Sequence, residues 1–331
     1  MQEVVAASVP SEAIAIPQAK KRDLEERKRG RHSMKRQALF LNVLAATMLA
    51  LPAFAADGAE GMIGFRWGKN AFNFEPMPSG PQPLRNLSRR PDGTANAGQL
   101  VGDYHNPILT PEAAAVVKQK GELAIAGKGF PNAQDQCRTM APAFALAMQL
   151  GFVMLQKKDG DITIVYDQNA NVRRIRMNAA HPSKLVSSPM GDSVGHWEGE
   201  TLVIDTVGVK VDRFTSVDRF GTPQSDAMHV VERYRLIDGT LAKAAMDAYE
   251  KREGTVGGGG RVAGYNPDTS LKGLQLDVTM EDPKVFTAPL TALVTYRRLI
   301  TEWAEAVCAE NPVEHYKDEW IGLPKADRTD F

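Results

Sequence analysis

Four residues have the types that move protons. His196 and Glu198 lie two apart, and His229 and Glu232 lie three apart some thirty residues later. Imidazole titrates near neutral pH, and a carboxylate in apolar surroundings is pushed toward the same range, so such a quartet suits general acid–base work. Trp197, Arg233 and Tyr234 flank these positions and are the candidate ligand-binding side chains. Segment 228–237 alternates. Met228, Val230, Glu232, Tyr234 and Leu236 share one face, and His229, Val231, Arg233, Arg235 and Ile237 share the other. Glu232 therefore faces a core, where a carboxylate must be paired or protonated. One expectation is a pocket acid, partly protonated at neutral pH, whose change to Gln abolishes binding or turnover while leaving the melting temperature nearly unchanged. The other, more common for such a residue, is a buried ion pair with Arg174, Arg176 or Arg298. His229 then points outward or under the N-terminal arm. In segment 194–207, His196, Glu198, Glu200, Leu202 and Ile204 are expected on one face, polar at its start and apolar at its end, as at a barrel mouth.

Other chemistries fit less well. Gly191-Asp192-Ser193-Val194-Gly195 matches G-x-S-x-G, but a nucleophile elbow needs a helix after the serine, and here a hairpin sequence follows. The run Gly257 to Gly260 lacks the Lys-Ser/Thr of a phosphate loop and reads as a linker. No two histidines have local metal-ligand spacing, and a site assembled across strands from His196, Glu198 and His229 is not favoured, so neither metal nor cofactor is expected. Cys137 and Cys308 are the two cysteines. In an oxidising compartment an even pair points to one disulfide, with two buried thiols as the alternative.

The elements that position these residues are mostly strands. A period of two, broken by turn residues, marks segments 152–156, 162–166, 172–177, 194–198, 201–207, 228–237, 274–280, 290–298 and 303–308. Asp159-Gly160 is a hairpin signal between the first two. Thr110-Pro111-Glu112 opens a helix that stops near Gly127, and a second helix, about 241–252, falls in an insertion at 239–272. The fold expected is mainly β: an antiparallel β-barrel or β-sandwich with a few peripheral helices and an extended N-terminal arm. Missing crossover helices exclude parallel βαβ units. The arm spans 56–105, where Pro76, Pro78, Pro81, Pro83 and Pro91 argue against regular structure, and one β-rich domain fills 106–331.

Residues 34–55 read as a cleavable signal peptide. Lys35 and Arg36 precede the mostly apolar stretch Ala38 to Leu51, which ends in Pro52 and Ala53-Phe54-Ala55. That stretch, at 14 residues, is shorter than the roughly 20 a membrane-spanning helix needs. Residues 1–33 are expected to be an over-extended start or a disordered extension. An exported protein, periplasmic or extracellular, with no transmembrane segment after cleavage follows. The first 55 residues hold nine of the 40 basic and five of the 40 acidic residues, so the rest carries 31 and 35, a net charge of −4. That balance, without a basic stripe, argues against nucleic-acid binding.

Residues 191–206, reading Gly-Asp-Ser-Val-Gly-His-Trp-Glu-Gly-Glu-Thr-Leu-Val-Ile-Asp-Thr, resemble the central signature of an uncharacterised family of exported bacterial proteins. His229 to Tyr234 and Glu281 to Pro289 are similar to its later blocks, and the resemblance covers about 106–331. It implies export and a β-rich domain, and it carries no activity. The insertion after Asp238 looks like a subgroup feature.

Three readings of function follow. The preferred one is a binding module holding a small apolar or aromatic molecule in a β-rich pocket. The alternatives are a cofactor-independent lyase, decarboxylase or isomerase using the His/Glu quartet, and a structural envelope protein. A pocket of several hundred Å3 lined by the quartet supports either of the first two; a solid core with those residues scattered supports the third.

Overall fold

The structure is a computed structural model, and it describes residues 61–69, 73–148, 151–158, 160–167, 171–253 and 264–300. The candidate signal peptide, strand 303–308 and Cys308 lie outside the described residues. Ten strands occur in chain order: β1 Arg66–Gly68, β2 Glu75–Pro76, β3 Phe152–Gln156, β4 Ile162–Tyr166, β5 Val172–Met177, β6 Asp192–Glu198, β7 Thr201–Val207, β8 His229–Ile237, β9 Gly273–Glu281 and β10 Leu290–Arg298. Three helices accompany them among the described residues: α1 Pro111–Ile125, α2 Pro142–Ala147 and α3 Gly239–Glu253.

Nine strands close into a barrel in the order β1-β3-β4-β5-β6-β7-β8-β9-β10, with Trp67 opposite Arg298 bringing β10 back to β1. Closure removes sheet edges, which a sandwich would have left. The barrel alternative therefore holds. Every pairing between these strands is antiparallel except one: β5 and β6 run parallel, with Ile175 opposite Ser193. The 14 residues between them, 178–191, carry the chain back across the barrel without a helix.

The barrel closes through the segment expected to be an unstructured arm. Arg66 and Trp67 pair with β3, Trp67 and Gly68 pair with β10, and Glu75–Pro76 adds a short strand to β10. Prolines rule out long strands there, but two- and three-residue strands need few backbone donors. The arm's remainder is organised by buried Asn86, whose amide donates to the carbonyls of Asn96 and Gln99 and accepts from the amides of Ser88 and Val101.

The interior is packed by the inward residues of each strand. Phe152 sits at its centre, its ring edge-on to Tyr296 at 5.1 Å and to Tyr234 at 6.2 Å, and tilted to Tyr166 at 6.1 Å. Met154, Ile164, Leu202, Ile204, Leu276 and Val294 complete the lining and are fully buried. Each large apolar side chain contributes roughly 1.5–3 kcal/mol by leaving water.

The helices follow local rules. Thr110 Oγ1 accepts from the amide of Ala113, with Pro111 in the first turn, and Gly127 (φ +69°) ends α1 in the left-handed conformation glycine tolerates. Asp238 Oδ1 accepts from the amides of Thr240 and Leu241 at the start of α3, which buries Ala242, Met246 and Tyr249. Helix α2, unanticipated, is apolar on all sides, and all six of its residues are buried. Six residues are too few for a helical period to show in sequence.

Candidate functional site

The β6–β7 hairpin turns through Gly199-Glu200, so Glu198 pairs with Thr201, Trp197 with Leu202 and His196 with Val203. A two-residue turn pairs even positions with odd ones. The face expected to carry His196, Glu198, Leu202 and Ile204 together is therefore split. His196 and Glu198 lie on the outer face, while Leu202 and Ile204 point inward with Ser193 and Trp197. His196 Nε2 lies 3.0 Å from Glu198 Oε1, and Glu198 Oε2 accepts from Arg233 Nη2. These hydrogen bonds, from Arg233 first and His196 second, hold the Glu198 carboxyl below its ordinary range. All three side chains are about half exposed, so this is a surface ion cluster rather than a pocket.

His229 also faces outward, as expected, in a second cluster. Its Nε2 lies 3.0 Å from Asp205 Oδ1, and its Nδ1 lies 3.6 Å from Glu281 Oε2. The same Asp205 oxygen receives His181 Nε2 at 3.1 Å, and His181 Nδ1 lies 2.6 Å from Asp192 Oδ1. Arg176 Nη2 completes the row at 2.7 Å from Asp192. Against partial burial, the bonds from His181 and Arg176 keep the Asp192 carboxyl below its ordinary range. His181 was absent from the sequence-derived candidates because it comes from the irregular 178–191 connection, where no period assigns a face. Among the described residues, no group of three His, Cys, Asp or Glu has metal-holding geometry.

Glu232 is inside the barrel and fully buried. Its partner is Arg173, not Arg174, Arg176 or Arg298: Arg173 Nη2 donates to Glu232 Oε1 at 2.6 Å. Strand β5 points Arg173 and Ile175 inward and leaves Val172 exposed, so a charged residue shares the inner face with Ile175. Arg174 instead pairs with Asp161 at 2.7 Å, Arg176 with Asp192, and Arg298 lies over the Phe65 ring at 3.6 Å. Tyr234 Oη donates to Glu232 Oε2 at 2.7 Å, and Arg173 also donates to Ser193 and Thr206. Burial alone would lower the Arg173 pKa; the adjoining Glu232 carboxylate outweighs it and holds the guanidinium above its ordinary value. Burial likewise pushes the Tyr234 hydroxyl well up. The ion-pair expectation is the one this geometry supports.

The quartet is thus not one site. Glu232 and Tyr234 are sealed in the core, while His196, Glu198, Arg233 and His229 line two outer clusters. Trp197 packs against the core from the inner face. None of these seven lines any of the cavities found among the described residues.

The largest of those cavities, about 320 Å3, lies between the arm and α3. Phe74, Leu84, Pro76 and Pro83 supply its apolar wall, and Tyr249 closes it from α3. Tyr249 is held in place by the hydrogen bond its Oη accepts from the amide of Asn73 at 3.2 Å. Its charges are balanced: Arg85 pairs with Asp103 at 3.3 Å, and Arg252 with Glu253 at 3.1 Å. Asn73 is nine-tenths buried, and its side-chain Oδ1 has no hydrogen-bond partner among the described residues. Such an acceptor costs roughly 1–3 kcal/mol when left unpaired. The cleft therefore combines an aromatic–aliphatic wall, no net charge and one idle buried acceptor. Sequence periodicity misses it because the lining comes from irregular arm residues and one helix face, brought together only by the fold.

Two further cavities are somewhat smaller. One, of about 300 Å3, lies between Cys137–Ala141 and the 210–216 loop; the other, of about 270 Å3, lies at the C-terminal end of α1. Compared with known proteins, the chain matches no family model, no curated protein and no solved structure.

Proposed function

We propose that this is a binding protein whose ligand is a small, uncharged molecule with an apolar or aromatic body and a hydrogen-bond donor, held in the cleft between the arm and α3. The observation that carries this is Asn73 Oδ1: a buried, unpartnered acceptor in a cleft of about 320 Å3 walled by Phe74, Leu84 and Tyr249. Sites for small molecules have this character, mostly apolar with a few placed polar groups, and begin at roughly 300 Å3. The internally paired arginines disfavour a charged ligand, since binding one would break Arg85–Asp103 or Arg252–Glu253. The same reading keeps the protein exported, with Cys137 joined to Cys308 and a membership in the exported family that residues 191–206 resemble.

A structural envelope role is the competing reading. The filled barrel and the scattered quartet favour it over proton-transfer catalysis. Calorimetric titration with indole, phenol and toluene separates the two. Binding of indole and phenol, weaker binding of toluene, and loss of all three in Leu84→Trp are expected; no heat with any of them, at millimolar concentration, favours the structural role.

A further inference from the structure

The second cavity has a different chemistry. It measures about 300 Å3 and is lined by more polar surface than the first, with Arg138, Lys210, Thr139 and Ser216 around it. Its one carboxylate is already satisfied. Asp212 Oδ2 accepts from Arg138 Nη1 at 2.7 Å, while Oδ1 accepts from the amide of Phe214 at 2.8 Å and from Thr215 Oγ1 at 3.2 Å. Two donors remain idle. Ser216 is 7% exposed, and its Oγ has no hydrogen-bond partner among the described residues. Lys210 is exposed at the rim, and its ammonium forms no ion pair or hydrogen bond among the described residues.

The loop that presents them is held by several contacts. Asp212 closes an Asx turn onto Phe214, and the Phe214 ring has the guanidinium groups of Arg138 and Arg213 at 4.8 and 4.7 Å. On the far side, the amide of Lys210 donates to the Ser188 carbonyl at 2.7 Å, which fixes the rim next to Pro189. An idle hydroxyl and a rim cation, beside a single carboxylate that is already satisfied, describe a site for an oxyanion. The volume exceeds that of a bare phosphate or carboxylate, and Ala133, Ala141 and Phe144 give the remainder an apolar surface.

We propose that this pocket binds a small organic oxyanion, a carboxylate or a phosphate monoester, with its charged head between Lys210 Nζ and Ser216 Oγ and its body against Ala141 and Phe144. It is independent of the cleft beside Asn73 and shares no residue with it.

Phenyl phosphate and benzoate, titrated calorimetrically into the full chain against a chloride control of equal ionic strength, test this and show which head is preferred. One of them should bind saturably at one site, with inorganic phosphate at least about tenfold weaker because it lacks the apolar body. Lys210→Met should weaken that binding roughly tenfold, the loss expected for one charge-assisted hydrogen bond. Ser216→Ala should weaken it several-fold while leaving the ligand-free melting temperature equal or higher, because it removes an unpaired buried hydroxyl. No saturable heat beyond the chloride control overturns the proposal. So does wild-type affinity in both variants, or inorganic phosphate binding as tightly as the two aromatic probes.

Discussion

Arg173 Nη2 lies 2.6 Å from Glu232 Oε1, with both side chains 1% exposed or less, so the barrel core is built around an ion pair rather than an acid. Tyr234 holds the second carboxylate oxygen, while Arg173 Nη1 makes no hydrogen bond among the described residues.

Glu232→Gln should therefore destabilise the protein by about 3–5 kcal/mol, because it leaves a guanidinium buried without its counter-charge. Replacing both partners by apolar residues, Arg173→Met with Glu232→Leu, should recover most of that loss. Urea unfolding of the three variants measures it. An unchanged midpoint for Glu232→Gln would restore the sequence expectation of a replaceable pocket acid.

Asp218 gives a pH signature of opposite character. It is buried, bonded to Thr222 and to the amides of Phe220 and Thr222, and desolvation raises its pKa to about 6 against those bonds. Between its ordinary 3.8 and about 6 the folded state holds the extra proton. Its contribution is thus fully present below pH 3.8 and lost as pH rises through 6. Asp218→Asn should flatten the stability difference between pH 4 and pH 7 relative to wild type, as read by denaturant midpoints; parallel profiles would refute the assignment.

Lys69 works in the other direction. Its ammonium is buried and donates to the Leu146 carbonyl, and desolvation lowers its pKa to about 7 despite the nearby Glu75. The unfolded chain binds more protons between about 7 and 10.5, so this contribution is present above 10.5 and lost as pH falls through 7. Lys69→Met should remove a rise in stability between pH 7 and 9, a window chosen below the buried tyrosines, whose raised pKa values act above 10. A variant whose stability still rises as steeply as wild type over that window would count against it.

His181 should anchor the connection that lets β5 and β6 run parallel. Its two nitrogens reach Asp192 and Asp205, one on each side of the β6–β7 hairpin. In His181→Ala, amides of 178–191 should exchange hydrogen measurably faster, at a global cost of about 1 kcal/mol. Unchanged exchange in that segment would mean that the Ser188–Gly208 and Lys210–Ser188 bonds alone hold it.

Strands were the legible part of this sequence. Eight segments from 152 to 298 appear as strands within two residues of their periodic signal, because one face of each is buried in the barrel and the period records that. The outward path of His229 and the inward path of Glu232 were readable for the same reason. The partner of Glu232 was not, because Arg173 is a charged residue on an inner face, and only the cross-barrel geometry reveals it. Nor was the closing strand Arg66–Gly68, three residues too short to show a period, whose partners β3 and β10 lie far along the chain. The cleft was hidden for a further reason: Asn73, Leu84 and Tyr249 are far apart in sequence and share no period.

The location of a bound ligand tests the account most directly. A crystal structure of the protein with indole should show the ring between Phe74, Leu84 and Tyr249, its N–H roughly 3 Å from Asn73 Oδ1. Indole bound instead at the barrel end beside Trp197, with the arm cleft empty, would contradict it.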